Sequence, residues 1–212
     1  MTKLMILVVA AAVAAVGVSS AGAKGGKPRE CQGLTPTIVG TQKADTIVGT
    51  PGNDVILARA GKDDVRGEGG DDVVCGGPGR DTIQGGDGND SLWGGQHADL
   101  IDGGVLGCCQ AGNTGNDVLH GGQGRDVLHA SDFGNGTLHG GQGADELHGW
   151  GGNDVLMGGW GPDVLESFTG DDNLSGGNGR DRLDAGAGAD TNDGGRGADT
   201  CVNGEVTTNC EA

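Results

Sequence analysis

Aspartates spaced by nine residues are the side chains best placed to do chemistry in this sequence. Sixteen of the 24 aspartates occupy the sixth position of a nonapeptide repeat, which is most regular in GGPGRDTIQGGDGNDSLW, residues 76–93. The glycines permit turns through positive φ and allow backbone carbonyl oxygen atoms to approach an ion. A carboxylate beside such carbonyls supplies the all-oxygen coordination, of about six to eight ligands, that suits Ca²⁺ better than Mg²⁺. The candidate metal ligands are Asp45, Asp54, Asp63, Asp72, Asp81, Asp90, Asp99, Asp117, Asp126, Asp145, Asp154, Asp163, Asp172, Asp181, Asp190 and Asp199.

The three residues that follow each aspartate, at positions seven to nine of the repeat, must position these ligands. Position eight is aliphatic in nearly every unit, from Ile47 to Leu183, whereas positions seven and nine are mixed. This alternation predicts a very short strand with one side chain pointing inward and its neighbours outward. A short fixed period indicates stacked coils rather than a globular core. The glycine content disfavours helices, so we expect none after the leader.

The repeat GGxGxDxUx, where U is aliphatic, resembles the hemolysin-type (repeats-in-toxin, RTX) calcium-binding nonapeptide. The pattern extends over almost the whole chain after residue 39, and its layout is similar to the small exported repeat proteins of high-GC Gram-positive bacteria. The resemblance implies an all-β fold, a right-handed parallel β-roll or β-solenoid with two nonapeptides per turn. It also implies Ca²⁺ ions between stacked loops at both edges. It does not carry over a toxin, protease or lipase activity, because only the repeats match.

With two units per turn, alternate units share an edge of the solenoid. Unit 103–111 keeps the length of nine but has Cys108 in the aspartate slot and Gln110 in the aliphatic slot, and unit 130–139 has Gly136 in the aspartate slot. We therefore expect up to twelve stacked aspartate pairs, with one interruption on each edge. One predicted edge carries Asp45, Asp63, Asp81, Asp99, Asp117, the Gly136 gap, Asp154, Asp172 and Asp190. The other carries Asp54, Asp72, Asp90, the Cys108 gap, Asp126, Asp145, Asp163, Asp181 and Asp199.

Composition limits the function classes. Forty-nine glycines, 2% aromatic residues and no tyrosine exclude a conventional core of large side chains. A net charge of -17 repels nucleic acid and anionic membranes and attracts cations. The expected partners are calcium ions, with no nucleic acid and no membrane insertion, and the sequence does not identify a protein or carbohydrate partner. Stacked carboxylates about one strand spacing apart, roughly 5 Å, repel each other without metal, so we expect calcium to drive folding.

The N-terminal segment has the features of a secretory signal peptide. Lys3 precedes an apolar run at residues 4–18, and residues 21–23 read Ala-Gly-Ala, a cleavage signal. A membrane anchor is the alternative, but the apolar run is short for a span. We expect residues 1–23 to be the signal peptide, 24–39 a leader and N-terminal cap, 40–202 the calcium-binding roll and 203–212 a C-terminal cap. The expected location is extracellular.

Six cysteines accompany this export signal: Cys31, Cys75, Cys108, Cys109, Cys201 and Cys210. An even number in an oxidising compartment favours disulfides, although fifteen pairings are conceivable. We favour Cys201–Cys210, placed on opposite sheets of the last turn and requiring the final strand to bend inward. Cys31–Cys75 would attach the N-terminal cap to the fourth unit. Cys108 and Cys109 would then form an adjacent pair or remain free thiols.

Four histidines, His120, His129, His139 and His148, occupy position nine of successive units. By alternation, His120 should lie beside His139 and His129 beside His148. Two imidazoles at one strand spacing could hold a transition metal, but an outer row of histidines is the favoured interpretation. Trp93, Trp150 and Trp160 are too dispersed to define a site.

No catalytic residue is predicted, because G-x-S-x-G, H-E-x-x-H and P-loop motifs are absent from the sequence. The favoured function is a secreted, non-catalytic calcium-binding repeat protein. One alternative is a β-solenoid enzyme acting on polysaccharide, which the few, dispersed lysines and arginines disfavour. Another is a surface adhesion module, which would need a regular outward ladder of one residue type.

Overall fold

The computed structural model describes residues 30–104 and 115–211, together with the backbone of Ile6–Leu7. Two ten-stranded parallel sheets face each other in a β-solenoid, and successive strands alternate between the sheets. We call them the odd-strand and even-strand sheets. No α-helix occurs within the described ranges, and none of those residues belongs to a helix long and apolar enough to cross a membrane. The expected all-β parallel solenoid is confirmed.

Most strands are only three to seven residues long. The odd-strand sheet contains β1 Ile6–Leu7, β3 Thr46–Val48, β5 Asp64–Gly69, β7 Thr82–Asp87, β9 Leu100–Asp102, β11 Val127–His129, β13 Glu146–His148, β15 Val164–Glu166, β17 Arg182–Asp184 and β19 Thr200–Val202. The even-strand sheet contains β2 Ile38–Val39, β4 Val55–Leu57, β6 Val73–Pro78, β8 Ser91–Gln96, β10 Val118–Gly124, β12 Thr137–Gly143, β14 Val155–Trp160, β16 Asn173–Gly179, β18 Thr191–Gly197 and β20 Val206–Thr208.

The strand register confirms two nonapeptides per turn. Val65 of β5 pairs with Ile83 of β7, and Val74 of β6 pairs with Leu92 of β8, in each case 18 residues later. The position-eight side chains form one continuous core, with Ile38 and Cys201 packed against its ends. Asn192 is the polar member of this row, and its side-chain amide donates to the Val202 carbonyl at 3.0 Å.

The unit at 103–111 does not add a half turn, and our prediction of one interruption on each edge is wrong. Leu119 of β10 pairs directly with Leu92 of β8, and Leu128 of β11 pairs with Ile101 of β9. β8 and β10 are therefore direct neighbours in their sheet, as are β9 and β11, and the chain between Gly103 and Asp117 is longer than the corresponding connections. Gly103 and Asp117 are 14 positions apart, whereas the equivalent residues Gly85 and Asp90 are five positions apart. The extra length is therefore nine residues, which is one repeat.

The physical reason lies in the two exceptional residues of that unit. A coil built from it would point Gln110 into the core, where an amide without a partner costs free energy, and would lack the aliphatic contact that holds every neighbouring coil. Gln110, Cys108 and Cys109 lie outside the described residues. The two expected alternatives, an adjacent cysteine pair or two free thiols, therefore stay predictions.

Two predicted disulfides are present. Cys31 is fully buried and bonded to Cys75 on the outer side of β6, with a Cα–Cα distance of 5.8 Å. Cys201 is bonded to Cys210 at the same Cα–Cα distance. Our prediction that these two cysteines lie on opposite sheets is wrong. Beyond β20 the chain returns to the odd-strand sheet, where Glu211 bridges Thr200, and this brings Cys210 beside Cys201.

The edge strand β1 belongs to the segment predicted to be a signal peptide. Its two residues pair with Thr46 and Ile47 of β3. The rest of residues 1–23 lies outside the described ranges. Cleavage after Ala23 would remove β1 and leave the outer edge of β3 unpaired.

Candidate metal centre

The sixteen aspartates form two columns, one along each edge of the solenoid. Edge one consists of the loops that run from an even strand to the next odd strand, and edge two of those that run from odd to even. On edge one the column is unbroken, and Gly136 is the single interruption on edge two. Edge one carries Asp45, Asp63, Asp81, Asp99, Asp126, Asp145, Asp163, Asp181 and Asp199. Edge two carries Asp54, Asp72, Asp90, Asp117, Asp154, Asp172 and Asp190.

One oxygen of nearly every carboxylate holds consecutive turns together. In each stacked pair, the backbone N–H of one aspartate donates to Oδ1 of the aspartate in the next turn. Asp81 N–H, for example, donates to Asp99 Oδ1 at 2.8 Å. Thirteen such bonds exist, eight on edge one and five on edge two, all 2.8–2.9 Å long. The structure therefore contains thirteen stacked aspartate pairs, one more than the twelve that we predicted by assigning alternate units to the same edge.

The second oxygen, Oδ2, is buried and has no hydrogen-bond partner in fourteen of these residues. Asp45 and Asp54 differ, because their Oδ2 atoms accept the backbone N–H of Thr41 at 2.6 Å and of Thr50 at 2.7 Å. Buried polar atoms are normally paired, and an unpaired buried carboxylate oxygen is costly. The unpaired Oδ2 atoms belong to Asp63, Asp72, Asp81, Asp90, Asp99, Asp117, Asp126, Asp145, Asp154, Asp163, Asp172, Asp181, Asp190 and Asp199.

A small space lined by oxygen atoms lies beside eleven of these fourteen Oδ2 atoms, next to the glycine that begins the loop. We call it the glycine cradle. At Gly76, a Cβ atom would lie 2.6 Å from Asp81 Oδ2 and 2.8 Å from the carbonyl oxygen of Gly94 in the next turn. At Gly140, it would lie 2.7 Å from both Asp145 Oδ2 and the Gly158 carbonyl oxygen. Glycine at position one therefore keeps a space open between a carboxylate and a carbonyl.

The donor set of the cradle fits calcium. Within the described part of the chain, no three His, Cys, Asp or Glu side chains converge as a metal site. Backbone carbonyls must therefore complete any coordination, together with the aspartate oxygens. An all-oxygen set of this kind suits a hard cation, whereas Zn²⁺ is usually bound by nitrogen and sulfur ligands.

Burial raises the pKa of many of the stacked aspartates above the ordinary value of 3.8. For Asp99, burial and then the charges of Asp126 and Asp81 raise the pKa to about 8, against the lowering effect of its backbone hydrogen bond. For Asp90 and Asp163, burial and neighbouring carboxylates raise the pKa to about 7. Near neutral pH these carboxyl groups therefore require either a proton or a cation.

The histidine pairs are placed as predicted. His120 stacks on His139 with ring centroids 4.6 Å apart, and His129 meets His148 edge-on at 5.0 Å. Trp93 extends the first pair, 5.2 Å from His120. Burial lowers the pKa of His120 and His139, and the ring of His120 lies between those of Trp93 and His139. This packing fits the favoured interpretation of an outer row.

Sequence reasoning missed the residues that occupy the cradle position in place of glycine. Ala58, Ala130, Ser167 and Ala185 stand at position one of their loops and are all buried. It also treated Trp150 as isolated, whereas Trp150 stacks on Phe168 with centroids 4.7 Å apart. Departures from glycine at position one were visible in the sequence, but their meaning depends on what the added Cβ atom contacts.

Comparison with known families agrees with this geometry. The RTX calcium-binding nonapeptide repeat (4 copies) matches residues 39–74, 76–105, 111–133, 131–165 and 167–201. No curated protein matches the chain significantly. The family match covers more than half of the sequence and all of the stacked turns between β3 and β19. The chain belongs to the family of RTX calcium-binding nonapeptide repeat proteins.

Proposed function

We propose that this chain is a secreted, non-catalytic calcium-binding repeat protein that folds by binding several Ca²⁺ ions. The observation that carries the proposal is the set of fourteen buried, unpaired Oδ2 atoms, which face glycine cradles or the alanine and serine side chains that replace them. A bound dication would neutralise these carboxylates and replace the hydrogen bonds that their Oδ2 atoms lack. The sixteen predicted aspartates are the candidate ligands.

Coupling of folding to calcium follows from the arrangement of charge. Each unit contributes one inward side chain to the core, while the aspartates of consecutive turns lie in contact through their Oδ1 hydrogen bonds. Without a cation, ionised carboxylates so close together oppose folding, and the free energy of metal binding becomes free energy of folding.

Export and the absence of catalysis are parts of the same proposal. The signal-peptide pattern at residues 1–23 and the disulfides Cys31–Cys75 and Cys201–Cys210 fit an oxidising compartment. We expect the exported chain to begin at Lys24, which intact-mass measurement of secreted protein would test. An exported chain that retains residues 1–23 would contradict this part.

The decisive experiment is a calcium titration of the purified chain, followed by circular dichroism and native mass spectrometry. We expect a cooperative gain of β-structure, binding of many ions, and affinities of roughly 10⁻⁴ to 10⁻³ M. Mg²⁺ at the same concentration is the control and should not produce the transition. A spectrum unchanged by calcium and by chelator, or saturation at two or three ions, would contradict the proposal.

A further inference from the structure

The two edges differ in the residue that begins each loop. On edge one, glycine begins eight of the nine loops, and Ala58 is the exception. On edge two, the loops before β10 begin with glycine, but three of the four loops at 130–136, 149–154, 167–172 and 185–190 do not. Those three begin with Ala130, Ser167 and Ala185.

These side chains occupy the space that is open in the other loops. Ala130 lies opposite Gly136, where a Cβ atom built on Gly136 would be 2.6 Å from the Ala130 Cβ. The loop that lacks an aspartate thus has a methyl group in place of the open cradle. Ser167 is 1% exposed, and its hydroxyl donates to the Ala185 carbonyl at 2.9 Å. This carbonyl corresponds to that of Gly94 in the Gly76 cradle. Because its oxygen accepts the Ser167 hydroxyl, that hydrogen bond takes the place of a bond to a metal ion.

The backbone changes at the same part of the molecule. The odd strands β5 and β7 are six residues long and extend into edge two, whereas β11, β13, β15 and β17 are three residues long and end immediately before Ala130, Gly149, Ser167 and Ala185. On edge one, β14 and β16 are six and seven residues long and extend into their loops. Trp150 and Phe168 occupy position two of the loops that begin with Gly149 and Ser167, and their rings stack with an interplanar angle of 7°.

We propose that the first residue of each loop decides whether that loop holds a calcium ion. Loops that begin with Ala58, Ala130, Ser167 or Ala185 then hold none of their own. Calcium is concentrated on edge one, and the C-terminal half of edge two is held by the serine hydrogen bond, methyl packing and aromatic stacking. This inference rests on the proposed calcium-binding function and narrows its ligand set, removing Asp63, Asp172 and Asp190.

Asp163 and Asp172 provide a matched test within adjacent half turns. Both are at most 3% exposed, both have an unpaired Oδ2 atom, and both accept the same kind of backbone hydrogen bond. They differ in that Gly158 begins the first loop and Ser167 the second, and the Ser167 side chain also interacts with the Asp172 carboxylate. The variants Asp163→Asn and Asp172→Asn would be compared as full chains by native mass spectrometry in saturating CaCl₂, with MgCl₂ as the control for non-specific adducts.

We expect Asp163→Asn to lose at least one ion and to need more calcium to fold. Asp172→Asn should keep the wild-type number of ions and fold at the same or a lower calcium concentration, because it removes a buried charge that no ion neutralises. An equal loss of ions in the two variants would overturn the inference while leaving the proposed function intact. A wild-type chain that binds no calcium would overturn both.

A gain-of-binding variant covers the case in which a single substitution prevents folding. Ser167→Gly combined with Ala185→Gly removes the two side chains and opens the cradles beside Asp172 and Asp190. We expect this double variant to bind more ions than the wild type, counted in the same way. An unchanged number of ions in a folded double variant would show that the first residue does not decide binding.

Discussion

At the scale of single residues, each loop combines an aspartate with a glycine that leaves room for its second oxygen. Glycine at position two has a separate role, since Gly141 adopts φ +111° and a Cβ there would collide with the carbonyl of Gly122. Position one needs no unusual φ. Its glycine matters because any side chain would enter the space between a carboxylate and a carbonyl.

Gly140→Ala should abolish the cradle beside Asp145, because the new Cβ atom would lie 2.7 Å from two oxygen atoms. We expect one fewer bound ion in native mass spectra. At a free calcium concentration of about a hundred times the Kd of that site, losing the ion lowers the free energy of unfolding by about 2.7 kcal/mol. Gly69→Ala is the control, since its Cβ would approach Asp87 no closer than 3.7 Å. Equal ion counts in the two variants would contradict the assignment of the cradle.

At the scale of strands and loops, each coil is held by one inward side chain and by hydrogen bonds to its neighbours. Leu156 of β14 is fully buried between Leu138 and Leu174, whereas the next residue, Met157, is 40% exposed on the outer face. The alternation predicted from the sequence is therefore confirmed at the level of individual side chains.

Leu156→Ala should lower the free energy of unfolding of the calcium-loaded chain by roughly 2–5 kcal/mol, because it leaves a cavity in a core one residue wide. Met157→Ala, on the same strand, should change it by only about 0.5 kcal/mol or less. Denaturant unfolding at saturating calcium measures both. Similar losses in the two variants would mean that the inward row does not form the core.

The two disulfides should differ in their contribution to stability. They close chain segments of 44 and 9 residues, for which loop-closure entropy gives roughly 4 and 2.6 kcal/mol. Replacing Cys31 and Cys75 by serine should therefore destabilise the calcium-loaded chain by about 1.4 kcal/mol more than replacing Cys201 and Cys210. The reverse order in denaturant unfolding would show that the native contacts of the C-terminal cap dominate.

At the scale of the whole molecule, two columns of carboxylates extend along the solenoid in a chain of net charge -17. Burial raises the pKa of Asp72 and Asp126 to about 6 and that of Asp99 to about 8. A carboxyl group with a raised pKa in the folded state favours folding when protonated. This contribution is complete below the ordinary value of 3.8 and is lost as the pH rises through the folded-state values.

We therefore expect the metal-free chain to have most β-structure at acidic pH and to lose it between about pH 6 and pH 8. Calcium should restore the structure above that range, and calcium affinity should increase with pH because protons compete for the same oxygens. Circular dichroism of metal-stripped protein across this pH range is the measurement. A metal-free chain that stays folded at pH 8 would contradict the prediction.

The resemblance to the RTX repeat supplied two units per turn, and the sequence favoured the two observed disulfide pairings without determining them. The sequence by itself determined the fold class and the inward row. These follow from local periodicity, because strand alternation and glycine turns act within nine residues. Tertiary structure alone decided the edge to which Asp117 and all later aspartates belong. An insertion as long as one repeat leaves the period unchanged, and only the pairing of β8 with β10 across 27 residues reveals it. The cradles at Gly76 and its equivalents likewise depend on tertiary structure, since each is bounded by a carbonyl from the next turn.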